Sequence, residues 1–295
     1  MLLKIKNNEK YKGMVFLLLS AFCYSIMTVL LKYVTGVTSI QKCLVRNVIT
    51  VLIAIFIVGK HKVYFVQNTK KNIGWLLFRG ICGTASMILY YYAVDRMLVA
   101  NLTMISMTAP FFCVLVSAIF LKEKVRKYHM IALLIAFFGI LIVVRPGAGN
   151  TSFPINMAAL LNAVFSAVGL VATRVLGKKN VDPGIVLLIG SVIGIIAALV
   201  LNGTNEIRIG MRAIIFLIVS GAIGGIGNYF VTLAYKYAPS KEISILDYSQ
   251  IIFSMILGIV LFGEFPEAIN YAGYVLVIAA AGYMFIKTKQ ETKLT

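Results

Sequence analysis

A chain of 295 residues that is 60% hydrophobic and only 13% charged, with a mean hydropathy of +0.94, is not a water-soluble fold, in which apolar usage runs near half and charge near a quarter. The net charge of +18, from 28 Lys and Arg against 10 Asp and Glu, would point to nucleic acid in a soluble chain. In a membrane protein it is first weighed against the excess of cations that cytoplasmic loops carry.

About 20 apolar residues are needed to cross roughly 30 Å of hydrocarbon. Ten such stretches are predicted, at 13–34, 41–58, 72–94, 99–121, 128–144, 154–177, 183–201, 211–235, 241–262 and 268–286. Lys4, Lys6, Lys10 and Lys12 precede a first apolar run too long for a signal-peptide core, so no cleaved leader is expected. The longest loop, 59–71, could not hold a soluble domain. With the N-terminus inside, 18 of the 28 cations fall on the cytoplasmic side, Lys62, Lys70, Lys122, Arg126 and Lys287 among them. Only Arg96, Arg145, Arg208 and Arg212 fall outside, which places both termini in the cytoplasm, of a prokaryotic cell membrane. Nucleic acid drops out as a partner. Six cations remain within spans or at their edges: Lys32, Lys42, Arg46, Arg79, Arg174 and Lys241. The four cysteines, Cys23, Cys43, Cys82 and Cys113, sit in apolar surroundings without paired spacing and read as small core hydrophobes.

In chain order, the first span carries Ser20, Tyr24 and Thr28 at every fourth residue, a hydrogen-bonding stripe on one face. The second carries Lys42 and Arg46 near its outer end, and the third carries Arg79 one and a half turns in. All three are long enough to lift their charge to the nearer interface. Arg46 and Arg79 therefore read as anchors or as donors to exposed carbonyls, although Arg79 is kept among the lining candidates. If several such cations faced a cavity, an anionic substrate would be favoured. Tyr90, Tyr91 and Tyr92 cannot all point inward, and Tyr91 is the candidate. Pro110, near the centre of the fourth span, predicts a kink that could serve as a gating bend. Asn162 and Ser166 repeat the first span's stripe in the sixth. Asn228 and Tyr229 follow Gly221, Gly224, Gly225 and Gly227, where backbones can approach closely. Asp247 lies about six residues, or ~9 Å, into the ninth span, with Ser244 and Gln250 on the same helical face. A carboxylate so placed needs a partner or a water-lined cavity.

A shift of 142 residues lays Leu18-Leu19-Ser20-Ala21 over Leu160-Leu161-Asn162-Ala163 and Lys32 over Arg174, and a shift of 141 lays Ala93 over Ala234, Thr103 over Ser244, Ser106 over Asp247 and Glu123 over Glu264. The offset equals five spans. Five is odd, so the second copy runs through the membrane in the opposite sense, as in many secondary transporters. Glu123 and Glu264 end equivalent spans and are expected to pair with basic residues. Lys32 and Arg174 are expected to be interface anchors.

Arg46, Arg79-Gly80, Gly83, Tyr90-Tyr91-Tyr92-Ala93, Ala100, Pro110, Leu121-Lys122-Glu123-Lys124, Gly139 and Arg145-Pro146-Gly147 together resemble the first repeat of an EamA-type transporter of the drug/metabolite transporter superfamily. The second copy is degenerate. The resemblance implies an all-α integral membrane fold of ten helices in two inverted five-helix repeats, residues 1–147 and 148–295, around a central cavity. It implies small organic substrates such as amino acids, vitamins or nucleoside-like compounds. The expected function is alternating-access transport of a small polar metabolite, with proton coupling open. Asp247, Gln250, Ser244, Ser106, Tyr24, Asn162, Asn228, Arg79 and Tyr91 are the candidate lining or coupling residues. The rival is an integral-membrane enzyme or lipid-handling scaffold, for which no catalytic cluster, nucleotide-binding signature, metal site or cofactor motif is found. The expected partners are the lipid bilayer and a small-molecule substrate, with a homodimer left open beside the monomer.

Overall fold

The computed structural model describes residues 2–61, 67–121, 127–144, 152–179, 181–203, 209–237 and 244–294, and every regular element among them is helical. In chain order these are α1 (Leu2–Lys32), α2 (Ser39–His61), the short α3 (Gln67–Lys71), α4 (Ile73–Val94), α5 (Val99–Ser106), α6 (Ala109–Leu121), α7 (Lys127–Val144), α8 (Phe153–Lys178), α9 (Pro183–Asn202) and α10 (Met211–Tyr237). A 3-10 turn, η1 (Ser244–Tyr248), then leads into α11 (Ser249–Phe262) and α12 (Ala268–Leu294). Seven helices are long and apolar enough to cross a membrane, and three shorter apolar segments accompany them, Val99–Cys113, Lys127–Val143 and Leu246–Phe262. The surface confirms the solvent. Leu52, Phe56, Phe138, Val200 and Val260 are largely exposed, while Ser20, Ser25, Thr28, Asn101, Asn162 and Ser254 are buried. That is the reverse of the pattern water selects, and it suits hydrocarbon outside and hydrogen bonding within. The chain is an integral membrane protein.

Local chemistry explains the helix ends. Asp182 caps α9, its Oδ1 accepting from the Gly184 N–H at 2.7 Å, and Pro183 opens the helix where its missing N–H is not needed. Gly263, at φ +64°, ends α11 in the left-handed conformation that only glycine adopts cheaply. The reversal at Gly263 swings Glu264 back over the bundle. Glycine also permits a close helix crossing. A Cβ on Gly273 of α12 would lie 2.7 Å from the Gly139 carbonyl oxygen of α7, so these backbones touch.

The fourth and ninth spans are not continuous helices. Met107 and Thr108 separate α5 from α6, and η1 changes to α11 at Ser249. The 141-residue offset carries Met107 onto Tyr248, so both copies break at the same place. The expected kink at Pro110 is corrected accordingly: this proline is the second residue of α6, where a missing N–H breaks no helical bond, and the bend lies ahead of it. Its side chain, like that of Ser244, lies outside the described part of the structure.

Helix contacts come in pairs that the offset exchanges. α1 packs on α10 as α8 packs on α4, α1 on α11 as α8 on α6, and α2 on α10 as α9 on α4. Two further contacts, α2 with α9 and α7 with α12, map onto themselves. α1 runs antiparallel to α10, with Phe16 stacked on Phe230 and Tyr33 on Phe216. α4 runs antiparallel to α8, where Arg79 meets Thr173 and Ser86 meets Asn162.

Candidate functional site

Arg79 does not rise to the near interface. Its Nε donates to Thr173 Oγ1 of α8 at 2.7 Å, and its Nη1 lies over Gly83, one turn further into α4, at the spot a Cβ there would occupy. Gly169 of α8 leaves room on the other side, 3.7 Å away. Gly83 is ten residues into the 22-residue α4, so the guanidinium sits ~15 Å along a helix of ~33 Å, at mid-depth. The reason is packing: Gly83 leaves the space the guanidinium fills, and Thr173 offers an acceptor there.

Arg46 of α2 is also turned inward, which corrects its reading as an anchor. Its Nη1 points to Met87 Sδ at 2.8 Å, and Nη2 lies 3.6 Å from where a Cβ on Gly224 would be. Met87 is four residues after Gly83, so the two guanidiniums meet the same face of α4 about 6 Å apart along its axis. Tyr90, on that face, shares a 2.6 Å hydrogen bond with Thr28 Oγ1 of α1, and the Thr28 hydroxyl itself donates to the Tyr24 carbonyl at 2.8 Å. The Tyr24 phenol stands within electrostatic reach of Arg46, Arg79 and Asp247. Tyr24, Arg46, Arg79, Tyr90 and Asp247 are all partly buried. Among the described residues neither arginine forms an ion pair; the ion pairs there join Lys32 to Glu264 and Lys42 to Asp95.

Of the predicted residues, Tyr24, Arg79 and Asp247 come together, and Tyr91 is fully buried with its phenol against the Arg46 guanidinium. Tyr92 turns outward under the Arg96 guanidinium. Asn162 and Ser106 are committed to the protein instead. Asn162 Nδ2 donates to Ser86 O and Ser86 Oγ, both at 2.9 Å, and its Oδ1 accepts from Ser106 Oγ at 2.9 Å, a clamp of α8, α4 and α5 that uses nearly all its capacity. Gln250 is buried, and its carbonyl accepts from Ser25 Oγ where α1 meets α11. Asn228 is half-buried on α10, and Tyr229 faces out. Asp247 lies on the 3-10 turn rather than inside a continuous ninth helix. Sequence reasoning weighed Arg46, Thr28 and Tyr90 but did not place them among the lining candidates. The signal that could have found the arginines is the glycine one turn after Arg79, which admits a long side chain running inward.

Two other readings change. Lys42 is fully buried and held by both Asp95 oxygens, at 2.6 and 2.8 Å, rather than lifted to the interface. Lys32 is no mere anchor: it pairs with Glu264 and donates to the Met97 carbonyl at 3.0 Å, while Glu264 Oε2 accepts from the Val99 N–H that opens α5. The side chains of Arg174 and Glu123 lie outside the described residues. A groove of about 570 Å³, lined by Ile88, Tyr92, Asp95 and Arg96 among others, lies near the Lys42 and Asp95 end and does not include the two central arginines.

Comparisons with known proteins agree with this architecture. The EamA-like transporter family profile matches twice, over residues 11–145 and 154–286. The chain is 25% identical over 269 residues to the pseudopaline exporter CntI of Pseudomonas aeruginosa, covering 91% of this chain and 94% of that one. It is 27% identical to human solute carrier family 35 member G1, covering 95% of this chain and 81% of that one. Against a riboflavin transporter of Brucella anthropi it is 26% identical over 220 residues, 72% of this chain and 76% of that one. A crystal structure 17% identical in sequence shares the fold with a TM-score of 0.63, covering 94% of this chain and 98% of that one.

Proposed function

Because the chain belongs to the EamA-like transporter family, we propose that it is a secondary transporter that moves a small polar organic metabolite by alternating access between two inverted five-helix halves, residues 1–147 and 148–295. One observation carries this reading. The fourth and ninth spans break at equivalent positions, and Asp247 lies beside one break, within reach of Tyr24, which in turn stands by Arg46 and Arg79. Broken helices at a repeat interface are where transporters bind solutes, since freed backbone groups are tolerated only against protein or a cavity. Alternation of the spans gives the inversion, and the exchange of helix contacts between the halves supports it. Both termini are taken as cytoplasmic from the cation bias. Relatives named as a pseudopaline exporter and as riboflavin transporters are consistent with a small organic solute.

Asp247 is the coupling candidate. The neutral clamp of Asn162, Ser86 and Ser106 has Ser20, Asn228 and Asp247 as its counterparts under the same offsets, a carboxylate where the first half has a hydroxyl. The half containing Asp247 therefore carries a group that can bind a proton or a substrate cation, and the other half does not. The test is uptake into proteoliposomes across panels of amino acids, vitamins, nucleosides and carboxylates, with and without an imposed pH gradient. Wild type moves at least one class. Asp247→Asn keeps binding and loses the pH-driven part. Wild-type behaviour of that variant removes Asp247 from the mechanism, and no flux for any class overturns transport in favour of a scaffold or enzyme.

A further inference from the structure

Charges inside a bundle persist only against a counter-charge, backbone carbonyls or water. Lys32 and Lys42 follow that rule with Glu264 and Asp95. Arg46 and Arg79 do not. Their partners among the described residues are all neutral: a thioether and the buried Tyr91 phenol at Arg46, and the Thr173 hydroxyl at Arg79. Nor are they stranded by accident. Gly83 leaves the space that the Arg79 guanidinium fills, while Gly169 and Gly224 lie in ordinary contact with Arg79 and Arg46, so both guanidiniums are packed inside the bundle. They meet one face of α4 a single turn apart, with the Tyr24 phenol close to both and the Tyr90 hydroxyl on the same face. A guanidinium presents a planar fork of donors matched to an oxyanion. Two such forks about 6 Å apart along one helix can grip one oxyanion between them or the two ends of a dianion.

Building on the transporter reading, we propose that Arg46 and Arg79 together receive the oxyanion of the transported solute, a carboxylate or a phosphate, at mid-depth in the bundle. The bound anion places a negative charge directly against the two guanidiniums, and Tyr24 adds a neutral donor at the rim. The empty site is then a pair of like charges held apart by glycine-lined packing. It exchanges an uncompensated state for a compensated one on each loading.

The test is a thermal-shift series on the purified full chain with glutarate, glutamate and glycerol 3-phosphate, against their uncharged counterparts glutaramide and glycerol. Wild type is compared with Arg46→Gln, Arg79→Gln and the two Arg→Lys variants. One oxyanion class raises the wild-type Tm and the uncharged compounds do not. Each Gln variant binds that class at least tenfold more weakly, about 1.4 kcal/mol, and each Lys variant recovers part of the loss. Carboxylates alone shifting Tm assign the solute to organic acids; glycerol 3-phosphate alone assigns it to phosphate esters. The ligand-free Gln variants are at least as heat-stable as wild type, because an unpaired charge has gone. A structural arginine would do the opposite, so ligand-free variants that melt earlier overturn the proposal. So does the absence of any oxyanion shift in wild type, or equal binding by the Gln variants. Flux separates the two levels. If wild type and Gln variants carry a neutral or cationic solute equally well, the anion site falls and transport stands; if nothing moves while oxyanions still bind through both arginines, transport falls and the site stands.

Discussion

Replacing Glu264 should loosen the fold at one place and by a calculable amount. Its carboxylate accepts from Lys32 and from the Val99 N–H at 3.0 Å, tying the end of α1 and the start of α5 to the turn after α11. The two side chains are only 18% and 13% exposed. Breaking a fully buried ion pair costs about 3–5 kcal/mol, and partial access to water lowers that here to about 2 kcal/mol. Glu264→Ala also orphans the Val99 N–H at a helix start, adding about 1 kcal/mol for a total near 3 kcal/mol. Glu264→Gln keeps a neutral acceptor for both donors and should lose about 1 kcal/mol. Reversible unfolding in mixed micelles, followed by far-UV circular dichroism, measures both. In the double variant Lys32→Met, Glu264→Ala, part of the Ala loss should be recovered, because the unpaired ammonium has gone. If Glu264→Ala lies within about 0.5 kcal/mol of wild type, or Gln is as damaging as Ala, the clasp does not hold these three segments together.

The second ion pair is unequal, and its two halves should respond differently: Lys42 is fully buried whereas the Asp95 side chain is 28% exposed. Asp95→Ala strands a buried ammonium and should lose about 3 kcal/mol or more, while Lys42→Met leaves a carboxylate that can reach water and should lose about 1 kcal/mol; the same unfolding assay ranks them, and equal losses refute the asymmetry. Asn162→Ala removes three hydrogen bonds linking α8 to α4 and α5, and at about 0.6 kcal/mol per bond in a membrane it should destabilise by about 2 kcal/mol. A loss below about 0.5 kcal/mol would show that the clamp re-forms through water. Gly83→Ala puts a Cβ where Arg79 Nη1 lies, against the movable end of a side chain rather than backbone. Stability should stay within about 0.5 kcal/mol while solute binding falls by roughly tenfold, measured by thermal shift; unchanged binding would mean the position of that guanidinium does not matter.

Much of the scaffold was legible in the sequence because hydropathy and span length are strong, local signals. Helix covers most of the described residues of each predicted stretch, with the fourth interrupted at Met107–Thr108. What was not legible depends on which way a long side chain runs. From position alone, Arg79 could rise to the interface or run inward, and the space at Gly83 with the Thr173 acceptor on the facing helix decides. Lys42 looked interfacial because its counter-ion, Asp95, lies 53 residues away at the end of another helix. Pro110 was read as a mid-span kink because the chain gives no sign that α5 has already ended at Ser106. Asn162 was read as a ligand to solute because polar residues in a stripe look alike until their partners on neighbouring helices are known.

The self-mapping contacts, α2 with α9 and α7 with α12, have a kinetic meaning under the proposed cycle. If the halves trade conformations during transport, the packing of α1 on α10 must come to resemble that of α4 on α8, and the reverse. A helix pair that maps onto itself keeps the same two partners through that exchange. The α7–α12 pair, in which Gly139 meets Gly273, is then an axle about which the halves turn. A cross-link between α7 and α12 should leave turnover intact, whereas one between α1 and α10 should arrest it.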